Sequence, residues 1–241
     1  MSRSNNTELI NPAKKFFQWD GTNGGFNYFD KTKGEKGERI HVALPFRFLV
    51  LDALSTIKGF DDKAQSGYWS NEIRDLSIET LVIRNKNGIC AKGLYEHIIV
   101  DANTKGSKYC QSVYIGYFQG EEMILANIQI MGAALGSWID FRKKNKIFDG
   151  AISITECIEG KKGITVYKIP VYKKIEVSKD SDSKAQQLDI ELQDYLSKYF
   201  KINKQEIKEA NTTEQIVKTN FENETIVKED ILSAPNDDLP F

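Results

Sequence analysis

Between Lys15 and Val177 apolar and aromatic residues come in short runs, and glycine or an Asn/Asp residue interrupts them. No other feature limits the fold as strongly. The runs are KFFQW (15–19), FNYFD (26–30), RIHVAL (39–44), FRFLVLDAL (46–54), IETLVIR (78–84), KYCQSVYIGYF (108–118), EMILANIQIM (122–131), GAISITECI (150–158) and GITVYKIPVYKKIEV (163–177). β-Branched and aromatic side chains fit a pleated, half-buried surface, and the punctuating residues suit turns, so the spacing predicts strands. YFQGEEM reads as a hairpin with Gly120 free to take a positive φ, and EGKKG (159–163) reads the same way. Two segments carry a helical period instead. GLYEHIIVDA (93–102) is short; AALGSWIDFRKKN (133–145) repeats Leu135, Trp138, Ile139 and Arg142, with Trp138 on the stripe read as core. The body is expected to be mainly β.

Past Val177 the composition changes. SKDSDSKAQQ has no apolar period and reads as a linker. LDIELQDYLSKYFKI (188–202) places Leu188, Leu192, Leu196 and Tyr199 in a helical stripe. From about Lys204 the chain is polar, charged and poor in aromatics, a composition that favours disorder. The expected organisation is a β-rich domain over 1–178, a linker and short helix over 179–203, and a disordered acidic tail over 204–241. Charge follows the same division. The net charge of -1 hides 25 Lys+Arg against 20 Asp+Glu through Ser178, and 8 against 14 beyond it. A mildly basic body suits a polyanionic ligand and an acidic tail a basic partner.

Several function classes lack their signatures. There is no GxxxxGK[ST], no GxSxG and no HExxH, and the glycine-rich GTNGGFNYFDKTKG lacks GxGxxG spacing. Cys90, Cys110 and Cys157 are odd in number and widely spaced, which fits reduced thiols. His41 and His97 form no metal-ligand spacing with them, so neither metal nor cofactor is expected. MSRSNNTELINPAKKFF has no apolar h-region, and no run approaches the roughly 18 residues of a membrane span, so a cytoplasmic chain without a membrane partner is expected.

The positive signal is aromatic residues interleaved with basic ones, in KKFFQWDGTNGGFNYFDKTK, SGYWSNEIR (66–74), SKYCQSVYIGYF (107–118) and SWIDFRKKNK (137–146). Unpaired bases stack on aromatic faces, at about 1–3 kcal/mol per base, while a cationic groove tracks the phosphates. Strand alternation would put Tyr109, Val113, Ile115 and Tyr117 on one face, and Cys110, Ser112, Tyr114 and Phe118 on the other. The candidates for base stacking are Trp19, Phe26, Tyr28, Phe29, Trp69, Tyr109, Tyr114 and Tyr117. The candidates for phosphate contact are Lys31, Lys33, Arg74, Arg142, Lys143, Lys144 and Lys146.

The chain ends on NDDLPF. Leu239, Pro240 and Phe241 gain nothing in water after an acidic run. A partner with an apolar pocket ringed by Lys or Arg could take the Phe ring, the terminal carboxylate, Asp237 and Asp238 together. At these five positions the chain resembles the C-terminal tip of bacterial single-stranded DNA-binding proteins. That resemblance implies an OB-fold domain that coats single-stranded DNA, and a tip that recruits replication, recombination and repair proteins. The body matches no motif of that family and the tail is Lys/Glu/Asn/Thr-rich, so a divergent or phage-type member is implied. Nine expected strands exceed the five of a minimal OB-fold, so an OB-like barrel with insertions is expected. A homo-oligomer is compatible with this reading. The alternatives are an adaptor of the replication machinery that binds no DNA, and a metal-dependent nuclease with carboxylates assembled by the fold.

Overall fold

The computed structural model describes residues 9–62 and 65–231, with side chains described as far as residue 208 apart from residue 61. The elements are β1 (Phe16–Trp19), β2 (Phe26–Asp30), β3 (Glu38–Val42), β4 (Phe46–Asp61), β5 (Ser66–Ser70), β6 (Leu81–Asn85), β7 (Gly88–Gly93), α1 (Tyr95–Thr104), β8 (Ser107–Gln119), β9 (Glu122–Ile130), α2 (Ala133–Lys144), β10 (Ala151–Lys162), β11 (Thr165–Ile175) and α3 (Lys179–Ile231). The protein is mainly β, with one large open mixed sheet and three helices among the described residues.

The sheet is built on β4. One of its edges carries β8 from Phe48 to Gly59. The other edge is shared, by β10 at Phe46–Leu49 and by β5 at Lys58–Asp61, so the sheet forks there. Outward from β4 run β8, β9, β1, β2 and β3 on one side, and β5, β6 and β7 on one branch of the other. β10 and β11 form a hairpin on the second branch. The β1–β9 ladder is parallel and the others are antiparallel. The curled sheet brings β11 back to β1 and the β1–β2 turn through three hydrogen bonds, one of them from Lys168 Nζ to Asn23 O at 3.2 Å. Lys168 N donates to Gly21 O at 2.7 Å, and Trp19 Nε1 donates to Lys168 O at 2.8 Å.

Alternation fills the inner face with Phe17, Phe26, Phe46, Phe48, Val113, Ile115 and their neighbours, and α2 closes it with Trp138. Phe17 is the hub of the aromatic cluster, with its ring centroid 5.0 Å from Tyr117, 5.1 Å from Phe46 and 5.5 Å from Tyr28. Buried Trp138 donates its indole N–H to Gln111 Oε1, which keeps both polar groups satisfied. The segment between β4 and β8 builds a second small core, with Ile57, Tyr68, Ile73, Leu81, Ile83 and Ile98. The first turns of α3 cover part of the opposite face. Ala185 and Leu188 meet Leu49 and Met123 there, and Leu192, Tyr195 and Leu196 are buried. Ser178 caps this helix, its Oγ accepting from Ser181 N.

Three expectations from the sequence are corrected. β5 was not expected as a strand, because its inward positions include small polar residues, buried Ser66 and Ser70, in place of an apolar period. β7 was not expected either, since an edge strand with every residue exposed or half-buried has no hydrophobic alternation to show. Residues 179–187, read as linker, are helical, and Ala185 supplies the one buried apolar contact that their composition concealed. α3 runs on past Lys204 to Ile231. The chain divides into one unit up to Tyr199 and a second from Phe200 onward. No helix among the described residues is long and apolar enough to cross a membrane.

Because Phe17 is fully buried at the centre of four aromatic rings, Phe17→Ala is expected to lower the unfolding free energy by about 3–5 kcal/mol in a urea titration.

Candidate nucleic-acid interface

β1 and β2 divide their side chains by parity. Phe17, Trp19 and Phe26 go inward, while Phe16, Gln18 and Phe29 are left toward solvent. β3 pairs with β2 so that Arg39 lies opposite Phe29 and His41 opposite Asn27. Between them opens a cleft of about 610 Å³. Its aromatic lining is Phe16, Tyr28 and Phe29, and its cations are Lys14, Lys15, Lys31 and Arg39. Lys15 Nζ stands 4.2 Å from the Tyr28 ring centroid and 3.2 Å from its hydroxyl. Asp30 at the rim has its pKa lowered, first by the side-chain and backbone hydrogen bonds from Thr32.

A second cleft of about 570 Å³ adjoins the first, lined by Lys58, Phe60, Tyr68 and Lys108. Gln18 and Gln129 line both clefts. They face each other in the β1–β9 register, and Gln18 Nε2 donates to Gln129 Oε1 at 3.0 Å. Lys58 pairs directly with Lys108 on β8 and with Trp69 on β5, and Trp69 pairs with Arg84 on β6. Opposed residues in a ladder point to the same face, so Lys108, Lys58, Trp69 and Arg84 form one row across four strands. Two lysines directly opposite one another are a destabilising like-charge pair. Glu72 lies within electrostatic reach of Lys58, but burial raises its pKa and disfavours its charged form.

Glu72 belongs to a polar network beneath α3. Ser112 Oγ and Tyr114 OH donate to its two carboxylate oxygens, and its backbone N–H donates to Tyr199 OH. Asn127 Nδ2 reaches Ser112 Oγ and Asn11 Nδ2 reaches the Tyr114 hydroxyl, so the network ties β8 and β9 to the N-terminal segment. Beside it, Arg74 clasps Asp52 through two bonds of 2.9 and 3.1 Å. Burial also pushes the Cys110 thiol up to about 12. The three cysteines are free thiols.

The predicted site residues therefore separate. Tyr28, Phe29 and Lys31 meet in the first cleft, and Trp69 stands exposed in the cationic row. Phe26 and Tyr114 are fully buried and offer no face to a base. Trp19 is half-buried on Phe26 and spends its N–H on Lys168. Tyr109 packs edge-on to Tyr95 of α1 and its hydroxyl meets Ser55 Oγ, while Tyr117 stacks on Phe46. Arg74 is engaged by Asp52, and Arg142 donates to Gln111 Oε1. Lys33 is exposed in the β2–β3 loop, and Lys143, Lys144 and Lys146 are exposed at the end of α2; none of these four lines either cleft. Asp237, Asp238, Leu239, Pro240 and Phe241 lie outside the described residues.

The fold also recruits residues that sequence reasoning passed over: Lys14, Lys15, Phe16, Arg39, Lys58, Phe60 and Lys108. Phe16 was masked by its neighbour Phe17, since only strand parity says which of the two is wet. Lys58 and Lys108 become a pair only through the ladder register. Among the described residues no group of three or more His, Cys, Asp or Glu is placed to hold a metal ion. Comparison with protein-family models, with curated proteins and with solved structures finds no match to this chain.

Two outcomes follow. Lys58→Gln or Lys108→Gln relieves the like-charge pair and should raise unfolding free energy by about 0.2–1 kcal/mol, with a larger gain in low-salt than in high-salt urea titrations. The raised pKa of Glu72 stabilises the fold fully below the ordinary value of 4.5, and that contribution is lost as pH climbs through the folded value. Wild-type stability should therefore fall over that rise, and Glu72→Gln should flatten this part of the stability profile.

Proposed function

We propose that the chain binds single-stranded DNA without catalysis and brings replication, recombination and repair proteins to it through its C-terminal tip. The observation that carries this reading is the row Lys108–Lys58–Trp69–Arg84 beside a cleft that mixes Phe16, Tyr28 and Phe29 with four cations. A like-charge pair held in register on an open face costs stability, and a polyanion lying across it would offset that cost. Exposed rings between the cations supply the stacking faces that unpaired bases need. Phe29 is 56% exposed and Trp69 42%, large values for aromatic residues inside strands.

The connectivity supports an OB-like body. β4, β8 and β9 form an antiparallel meander, α2 follows, and the β10–β11 hairpin returns so that β10 pairs with β4. We read this as the order of a five-stranded Greek-key barrel, a fold that binds oligonucleotides on its second and third strands and neighbouring loops. In that frame β5, β6, β7 and α1 enlarge the first connection, and β1 to β3 are an N-terminal addition that lies along β9. Lys108 and Gln129 then belong to the second and third strands, and Trp69 to the enlarged connection.

The first test is an anisotropy titration of labelled oligo(dT) over a salt series, with a duplex of equal length as control. Binding should prefer the single strand and weaken as salt rises, and absence of binding at low salt would contradict the reading. Trp69→Ala and Phe29→Ala should each weaken binding by about 1–3 kcal/mol. The acidic segment beyond Lys204 is tethered to a basic body and competes with DNA at high local concentration. Removing residues 204–241 should tighten binding, most at low salt; an unchanged or weaker affinity would argue against that competition. Removing the last six residues alone should abolish capture of replication proteins, and unchanged capture would show that the tip is not the recruiting element.

A further inference from the structure

Resting on the single-strand reading, the geometry points to a single binding track that crosses the β-strands from β3 to β5, made of two half-sites joined at the Gln18–Gln129 pair. Each half has its own cations and its own exposed ring. At one end Arg39 and Lys31 flank Phe29, and at the other Lys58 stands between Lys108 and Trp69, with Phe60 lining the same cleft as the two lysines. The residues that line both clefts include no cation. They are the two amides of Gln18 and Gln129, which are cross-strand partners. Their mutual bond uses one N–H of Gln18 and the carbonyl oxygen of Gln129, leaving the Gln18 oxygen and the Gln129 amino group outside it. An acceptor and a donor side by side suit the edge of an unstacked base, since glutamine meets base edges in that bidentate way. Phosphates would be anchored at the two ends and a base edge held at the seam.

The register also sets the length. Arg39 and Trp69 are six inter-strand steps apart, about 29 Å at 4.8 Å per step, and the registers offset them by six residues, about 20 Å, along the strands, so they lie about 35 Å apart. At about 3.4 Å per stacked nucleotide this spans roughly ten nucleotides, and fewer when bases splay. A strand too short to reach both halves would occupy one of them. A strand that reaches both gains the second contact at high effective concentration, worth about 10²-fold or more.

The experiment is a titration of the full chain with oligo(dT) of increasing length, from about four to about sixteen nucleotides, the range of site sizes for such folds. Arg39→Gln and Lys58→Gln report on the two ends, and Gln129→Ala on the seam. All three side chains lie at the surface or are half-buried, and urea titration checks each variant's fold. In the wild type, affinity should step up by about 10²-fold as length approaches roughly ten nucleotides and then level off. Both end variants should reduce that step, yet cost no more than about two-fold on the shortest strand, where the other half still binds. Gln129→Ala should shrink the step and leave the shortest strand unaffected, and a full step in this variant would overturn the role of the seam. If one end variant weakens every length equally and the other changes nothing, a single cleft binds and the track is overturned while the single-strand reading stands. Absence of binding at every length overturns that reading and the track with it.

Discussion

The β4–β8 ladder fixes both the core and the proposed interface, because from Asp52 to Gly59, beyond a bulge after Val50, side chains alternate across it without a break. Ile57 and Tyr109 point to one face, and their neighbours Lys58 and Lys108 to the other. A slip of one residue would drive two lysines toward a core where Ile57 is fully buried, and would turn Val113 and Ile115 out to water. The burial that holds the sheet together is thus what aligns the cations. The long antiparallel register from Phe48 to Gly59 gives this choice little freedom.

The two faces of the sheet meet different fates. The inner face is closed by curling and by Trp138 of α2. The outer face is covered beside Tyr114 and Ser112 by the first turns of α3, with Glu72 locked beneath. Among the described residues of α3 up to Tyr199 none lines either cleft, and Phe16, Gln18, Gln129, Lys58 and Trp69 remain partly or fully open. Electrostatics follow from this division. Charges kept on the open face are screened by salt, so a ligand held there would depend on ionic strength. Charges under or beside the helix are satisfied internally, as Arg74 is by Asp52.

Much of this was legible from the chain. Eight of the runs expected as strands fall on strands, although β4 continues seven residues past its expected end and β10 four, and the expected run at 78–84 covers most of β6. Alternation placed Val113 and Tyr114 on opposite faces, and the helical stripe in 133–145 identified Trp138 as core. What could not be read is which side of a polar or mixed strand is wet. Tyr114 sits in a run of Ser, Tyr and Gln that looks like a surface, yet α3 buries it completely, and the sequence that covers it lies some eighty residues away. The same gap hid Phe16 beside Phe17. Arg74 looked free beside SGYWSNE, and its partner Asp52 comes from the middle of β4. Register and tertiary cover decide these cases, and neither is a local property.

The central claim is that a single strand lies on the open face over β1 to β5, away from α2. Hydrogen exchange of the full chain with and without bound oligo(dT) tests it most directly. The account predicts slowed exchange in β1, β2 and β3 and around Lys58, Trp69 and Lys108, with no change at the Lys143–Lys146 end of α2. Protection confined to the end of α2, with the open face exchanging as before, would contradict it.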